Sequence, residues 1–353
     1  MISFDLLPYL FIFLIGSCAL YINTKKTNDI VFFVLFVFSA VRYDVGFDFM
    51  AYSELIQEGE GFNLIRIEPI ERLLIMISHN YFPQFFFIVN SFVIVYFTKW
   101  ALERKSVNVS ISTMAFLCFP LMFTNSFSII RFWSALAIVF YASTLISDKK
   151  YIKFFFLVVL AMGFHKASII AILYIPLYLV EIPLSINIAL LVGSFVGGEF
   201  VLTKLLEGVL PDALFADQVM RYATHEGSDG LSKIPYLYLI IDVYFLLKSS
   251  RLRIICKESY CWITIYNIGV SLIFLLSFQT TLATRLCRPF LIYFLFLIPW
   301  LIGYKTKQVK IKNSKLRLQV FNIVCLILFI YLLSIHNESL GRSQYLPYQV
   351  FFI

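Results

Sequence analysis

The chain has 353 residues, of which 60% are hydrophobic and only 14% are charged. Soluble domains usually carry about 25% charged residues, so this composition, with a mean hydropathy of +0.85, excludes an ordinary soluble domain. The net charge is +8, but no basic patch interleaved with aromatic residues lies on a soluble segment. We therefore expect no nucleic-acid partner.

Apolar runs that could cross a bilayer, which needs about 20 residues each, recur along the chain and are continuous rather than alternating. They predict an all-α, polytopic integral membrane protein, with residues 1–353 forming a single transmembrane domain. About twelve spans can be drawn, at 6–22, 29–43, 84–98, 111–124, 129–147, 151–164, 167–181, 186–202, 234–247, 261–278, 286–303 and 318–335. The first run lacks a preceding basic region, so we expect a retained span rather than a signal peptide.

Two stretches between these runs differ from both spans and short loops. Residues 68–82 are apolar only in their middle and predict a re-entrant or interfacial helix. Residues 203–233 form the largest loop, and their apolar and polar side chains separate as in an amphipathic helix on the membrane surface. Such a helix could cover a cleft that opens to lipid, and a plain surface connector is the alternative.

The short loops differ strongly in charge, and this difference predicts the orientation. One alternate set of loops holds 18 of the 29 basic residues and only 5 of the 21 acidic residues. Cytoplasmic loops carry such an excess of Lys and Arg. The other set, including residues 203–233 and both termini, is then expected in the periplasm of a bacterial inner membrane.

Charged and aromatic residues gather on the predicted outer side, where an apolar run ends in "FSAVRYDVGFDFMAYSEL". Arg42, Asp44, Asp48 and Tyr52 fall within eleven positions of one another, and Gly46 favours a turn between the two carboxylates. The carboxylates could bind sugar hydroxyls, balance Arg42 or hold a divalent cation. The first two roles are favoured because no further carboxylate cluster completes a cation cage.

Ionisable residues at membrane depth are costly and commonly mark a site. Arg285 and Arg288 are three apart and would share one helix face, and Arg131 begins another span. The three guanidiniums suit an anion such as phosphate; anchoring to lipid headgroups, or pairing with Asp44 or Asp48, is the alternative. His165 lies at a helix junction and is either a base or substrate contact, or an ordinary interface residue.

Several of these segments, taken in order, resemble the EpsG-type, or Wzy-like, family of bacterial polysaccharide polymerases. The matching segments are "VRYDVGFDFMAY", "EPIERLL", "SIIRFWSALAIVFYAS", "FHKASII", "RLCRPFLIYFLFLIP" and "YLPYQVFFI". Phe132 departs from the pattern, because Gln is common at that position in the family. The resemblance covers nearly the whole chain, and it is the ordered set rather than any single segment that is specific.

The resemblance implies a metal-independent glycosyl transfer, without a cofactor, at the outer face of the membrane. The donor would be a glycan on undecaprenyl pyrophosphate, and the acceptor the non-reducing end of a new lipid-linked repeat unit. A flippase and a chain-length regulator are possible partners. The expected base is His165, with Asp48 as its rival; the expected pyrophosphate ligands are Arg131, Arg285 and Arg288; the expected substrate contacts are Arg42, Asp44, Tyr52, Glu68 and Arg221.

Other functions fit parts of this pattern. A flippase needs access from both faces, whereas these charges crowd one side. A membrane O-acyltransferase of one type would need His followed by Asp after four residues, and His225 and Asp229 are separated by three. An O-antigen ligase uses the same donor, and the sequence separates it poorly from a polymerase.

Overall fold

The helices follow the apolar runs of the sequence. The computed structural model describes residues 4–59, 67–209, 234–276, 280–303, 314–337 and 342–351. Its α-helices are α1 (Leu7–Ile22), α2 (Lys25–Ala40), α3 (Phe49–Glu58), α4 (Pro69–Asn80), α5 (Phe85–Lys105), α6 (Val109–Cys118), α7 (Ile130–Ser143), α8 (Tyr151–Phe164), α9 (Tyr174–Leu179), α10 (Leu184–Val209), α11 (Ile234–Ile255), α12 (Lys257–Leu275), α13 (Thr280–Leu291), α14 (Phe294–Ile302) and α15 (Ser314–Ser334). The class is therefore all-α, as predicted.

The few strands are two residues long and pair at one edge of the helices. They are β1 (Arg42–Tyr43), β2 (His336–Asn337), β3 (Arg342–Ser343) and β4 (Gln349–Val350). β1 pairs with β4, and β2 with β3, both antiparallel. The first of these pairs joins residues that are far apart in the sequence, and it matters for the site described below.

Among the described residues, three helices are long and apolar enough to cross a membrane: α5, α12 and α15. The pair α13–α14 meets the same test only as one broken span, bent by 48°. Several of the predicted spans are shorter helices in the structure. Within the run at 111–124, the helix ends at Cys118, because Pro120 cannot continue a helix. A membrane protein is thus supported, but the count of twelve spans is not confirmed.

Of the two stretches predicted to differ from spans, the structure describes the helix of the first and only the beginning of the second. Residues 69–80 form the helix α4, which is too short to cross a bilayer. The helix α10 continues to Val209, through positions that the sequence assigns to the large loop. Residues 210–233, with Arg221 and the expected amphipathic helix, lie outside the described residues.

The chain divides into two compact units, at residues 1–172 with 295–353 and at residues 173–294. In the first unit α7 is the most enclosed long helix, and it packs against α5 and α8. In the second unit α12 is the most enclosed long helix, and it packs against α10, α11 and α13. Large apolar side chains remain exposed on α8, α10, α11 and α15, as expected of helices that face lipid.

Three of the loops predicted to be cytoplasmic lie at the same end of the first unit. Lys99 of α5 pairs with Asp29 of α2 at 2.6 Å, and Asp148, before α8, pairs with Arg104 and Lys150. These contacts agree with a common side for the basic loops. Which side of the membrane that is stays a prediction.

Gly46 is required where the loop after α2 touches the turn before α7. Its φ is +102°, and a Cβ atom there would lie 2.3 Å from the carbonyl oxygen of Phe127. We expect Gly46→Ala to cost about 2–5 kcal/mol and to lower the thermal midpoint of the purified protein. Gly193→Ala is the matched control, since a Cβ atom there meets nothing within 4 Å and alanine favours a helix interior. Equal midpoints for the two variants would contradict this prediction.

Candidate functional site

The loop between α2 and α3 carries three of the predicted site residues, Arg42, Asp44 and Asp48. β1 begins it at Arg42, Asp44 has a positive φ of 49°, and Asp48 immediately precedes α3. Asp tolerates this left-handed conformation better than most residues. The loop is therefore a tight turn that holds Asp44 and Asp48 close to the start of α3.

Residues 342–351, here called the clasp, fix this turn from the far end of the sequence. The clasp pairs β4 with β1, and the amide of Gly46 donates to the carbonyl of Gln344 at 2.8 Å. Arg342 forms an ion pair with the carboxylate of Asp44 and also donates to its carbonyl at 3.1 Å. Asp44 is thus held by the clasp, a partner that the sequence did not indicate.

Arg42 lies inside the protein instead of on its surface. Its side chain is fully buried, and its guanidinium donates to the carbonyls of Ser39 and Val45. The same group stacks over the ring of Phe127, with its central carbon 4.7 Å from the ring centroid. Arg42 therefore holds the end of α2 and the following turn together, and the structure does not place it where substrate could reach it directly.

Arg131 is the centre of a cluster of polar side chains in the first unit. It is the second residue of α7, and its Nη1 pairs with Oε2 of Glu68 at 2.7 Å. Its Nε donates to the hydroxyl of Tyr52 at 3.1 Å. Three predicted site residues from distant parts of the sequence therefore meet directly, and within the described residues no hydrogen bond uses Nη2 of Arg131.

Glu68 links Arg131 to the junction at His165. Its Oε1 accepts a hydrogen bond from the amide of Lys166 at 3.2 Å, while its Oε2 pairs with Arg131. One carboxylate thus connects the start of α7 to the end of α8. His165, next to Lys166, is brought to the edge of the same cluster.

His165 ends α8 in an extended conformation and is half-buried. Its Nδ1 accepts a hydrogen bond from the amide of Ala167 at 3.3 Å. The neutral ring in this conformation therefore carries its proton on Nε2. A base role at Nε2 would require the ring to release Ala167 and change tautomer, whereas donation from Nε2 needs no change.

Asp48 and Tyr52 lie one turn apart at the start of α3. Asp48 is half-buried and its side chain does not cap the helix, while Tyr52 is almost fully buried. Burial, helped by the charge of Asp48, raises the pKa of Tyr52. Tyr52 is therefore a neutral hydrogen-bonding group, and the carboxylate of Asp48 lies near it.

Beneath Arg131 lies a second layer of polar groups, built by α4, α5 and α7. Glu71 is fully buried, and its Oε2 accepts a hydrogen bond from Nδ2 of Asn90 at 3.2 Å. Oδ1 of Asn90 in turn accepts one from Ser134. None of these three residues has a role predicted from the sequence. For Glu71 a signal existed, since it continues the buried face of α4 formed by Leu74, Ile75 and Ser78.

Arg285 and Arg288 lie on α13, in the second unit. Their spacing of three residues fits one helix face, with Arg285 half-buried and Arg288 buried. The helix packs closely on α12, because a Cβ atom at Gly269 would lie 2.9 Å from the amide nitrogen of Leu291. Both arginines therefore lie on a helix that packs tightly against α12 and contains Pro289 near its end.

In the part of the chain that the structure describes, no three His, Cys, Asp or Glu side chains are grouped as metal ligands. In the first unit, the guanidinium of Arg131 and the ring of His165 are groups that could bind an anion. Arginine suits phosphate oxygens through its planar fork of donors. The described part of the first unit is thus equipped for an anionic, oxygen-rich ligand.

A comparison with known families decides the relationship of the chain. The profile of the EpsG family matches residues 29–350, which is nearly the whole sequence. This chain belongs to the EpsG family. No curated protein and no solved structure matches it.

Membership of the EpsG family confirms the resemblance noted in the sequence and identifies a membrane protein of the polysaccharide-polymerase type. The segments that carry the resemblance contain Tyr52, Glu68 and Arg131, which form the Arg131 cluster. Glu68 also accepts a hydrogen bond from the amide of Lys166, just after α8. Phe132, where this EpsG-family chain departs from the common Gln, contacts the ring of His165 edge-on at 5.3 Å between centroids. The departure thus replaces a polar neighbour of His165 with an apolar one.

Proposed function

We propose that this protein polymerises lipid-linked oligosaccharide repeat units at the outer face of a bacterial inner membrane. The transferred glycan would leave undecaprenyl pyrophosphate and join the non-reducing end of a new repeat unit. The observation that carries this proposal is Arg131, held between Glu68 and Tyr52, with no hydrogen bond at Nη2 within the described residues. Family membership supports the class of reaction.

In this reaction an acceptor hydroxyl forms a bond to the anomeric carbon of the donor glycan. The bond from that carbon to the pyrophosphate oxygen breaks, and undecaprenyl pyrophosphate leaves with the added negative charge. Fixed positive charge near the leaving oxygen stabilises the transition state. Arg131 would supply that charge in the first unit, and Arg285 and Arg288 are the proposed pyrophosphate ligands of the second unit.

The proton of the acceptor hydroxyl needs a base, and we assign this role to Asp48. His165 was the first choice from the sequence, but its Nδ1 is engaged by the amide of Ala167. With the proton on Nε2, His165 would donate a hydrogen bond to the leaving pyrophosphate. Tyr52 and Asp44 would contact the sugars through their oxygen atoms, and Arg221 and Glu68 would support substrate binding.

The topology belongs to the same proposal. Twelve spans, with several of them short or broken, would place both termini and residues 203–233 in the periplasm. The excess of basic residues in the opposite loops supports this orientation. The exposed apolar faces of α8, α10, α11 and α15 would contact the bilayer and the polyprenyl tails of the substrates.

The test is deletion of the gene in its host, with gel analysis of the surface polysaccharide. We expect the ladder of chain lengths to collapse to a single repeat unit, and the wild-type gene to restore it. In the restored strain, Asp48→Asn and His165→Ala are each expected to shorten the polymer. Loss of all repeat units with accumulation of lipid-linked polymer would indicate a ligase, and unchanged polymer in both variants would refute the assigned roles.

A further inference from the structure

Glu71 is a carboxyl group buried in an unusual setting. It lies in the first turn of α4, is fully enclosed, and makes one hydrogen bond, from Asn90 to Oε2. Its Oε1 is buried and has no hydrogen-bond partner among the described residues. An ionised carboxylate with one donor would be far costlier in such a place than a neutral carboxyl group.

The groups around Glu71 come from every neighbouring element. Tyr52 faces it from α3 and Glu68 from the residue before α4, while Asn90 lies on α5 and Arg131 and Ser134 on α7. From α8, Gly163 packs against Ile70, and His165 follows at the end of that helix. Arg131 pairs with Glu68, and among the described residues no ion pair includes Glu71.

Burial raises the pKa of Glu71 to about 8, although Asn90 and the charge of Arg131 act against this rise. The helix α4 is not one of the membrane-spanning segments, so the group can equilibrate with protons from the adjacent aqueous face. Two charge states are therefore within reach near neutral pH. When Glu71 is neutral, the charges of Arg131 and Glu68 cancel. When Glu71 is ionised, these three side chains have a net charge of −1.

We propose that Glu71 is a positioning residue that stays protonated, so that Arg131 remains available to bind a pyrophosphate group. This inference rests on the proposed function, because it deepens the role given there to Arg131. Ionisation of Glu71 would place a second carboxylate beside one guanidinium. It would draw Arg131 inward and repel the anionic ligand from Nη2.

The affinity for pyrophosphate is expected to fall as the pH rises. Below about pH 8 most of Glu71 is protonated and the affinity for pyrophosphate is high; above it the affinity falls. The free energy of unfolding also falls as the pH rises. The reason is that the carboxyl group of Glu71 ionises near its ordinary pKa in the unfolded chain but not in the folded chain. Stability therefore decreases as the pH rises from about 4.5 to about 8, and the loss is complete above that.

The experiment uses the full chain in lipid nanodiscs and farnesyl pyrophosphate as the probe. Its dissociation constant is measured at pH 6.5 and 9.5 for the wild type, for Glu71→Gln and for Glu54→Gln, which removes an exposed carboxylate from α3. We expect the wild type and Glu54→Gln to lose about tenfold more affinity over this range than Glu71→Gln does. Glu71→Gln is also expected to raise the thermal midpoint at pH 8.5 more than at pH 5.

Parallel pH profiles for the wild type and Glu71→Gln would overturn the inference, as would a wild type that fails to bind the probe at either pH. Inactivation by Glu71→Gln with unchanged probe affinity would also overturn it, since the neutral amide should replace the neutral acid. If the expected profiles appear but purified protein does not lengthen lipid-linked repeat units, the proposed function fails while the inference about Glu71 stands.

Discussion

Replacing Arg131 with lysine is expected to reduce polymer formation at least 100-fold while the protein still folds. Lysine keeps the charge, but its single ammonium cannot hold Glu68 and Tyr52 and also present a donor to the pyrophosphate. Loss of one oriented donor to a developing oxyanion costs about 10²–10³ in rate. Initial rates with lipid-linked repeat units in nanodiscs, and the ladder in the host, would measure this effect.

The matched control is Arg104→Lys, the same change at an ion pair with Asp148, away from the site. It should leave the rate and the ladder as in the wild type, because exposed ion pairs contribute little and lysine can replace arginine there. Polymerisation by Arg131→Lys within threefold of the wild type would show that the fork of Arg131 is not needed.

Removal of residues 342–353 is expected to lower polymer formation to below about 1% of the wild-type level. The deletion takes away the strand that pairs with β1, the partner of the Gly46 amide, and Arg342, which holds Asp44. The turn with Asp44 and Asp48 would lose its fixed geometry, and a displacement of about 1 Å at a reacting group can cost 10²-fold. Polymer length, together with the amount of protein in the membrane, would be measured.

Gln349→Ala provides the comparison for this deletion. Its side chain is exposed, and the change keeps the backbone pairing between β4 and β1, so a normal ladder is expected. A shortened protein that reaches the membrane and elongates polymer as well as this variant would show that the clasp does not position the turn.

The class of fold was predictable from the sequence, but the lengths of the helices were not. Continuous apolar runs mark helices in a membrane reliably, because every backbone group must be satisfied within the segment. Hydropathy alone does not show where such a helix stops. Pro120 and Pro176 fall inside predicted spans, and around them the structure has short helices and turns in place of a full-length span.

The residues of the Arg131 cluster were predicted one by one, but their partnership was not. Glu68 and Arg131 are 63 positions apart, and nothing local in the sequence pairs them. They were therefore given separate roles, as a sugar contact and as a pyrophosphate ligand. Arg42 was expected to contact substrate, yet its side chain is fully buried and donates to the carbonyls of Ser39 and Val45 within the turn.

The order in which the chain is made gives the clasp a further consequence. Arg42 finds its carbonyl partners three residues away and can form those bonds as soon as the turn is made. Asp44 must wait for Arg342, which follows 298 residues later. At roughly 5–20 residues per second, that delay is about 15–60 s. During synthesis the turn therefore exists without its clasp, and the proposed site gains its full set of contacts late, when residues 342–351 pair with the turn.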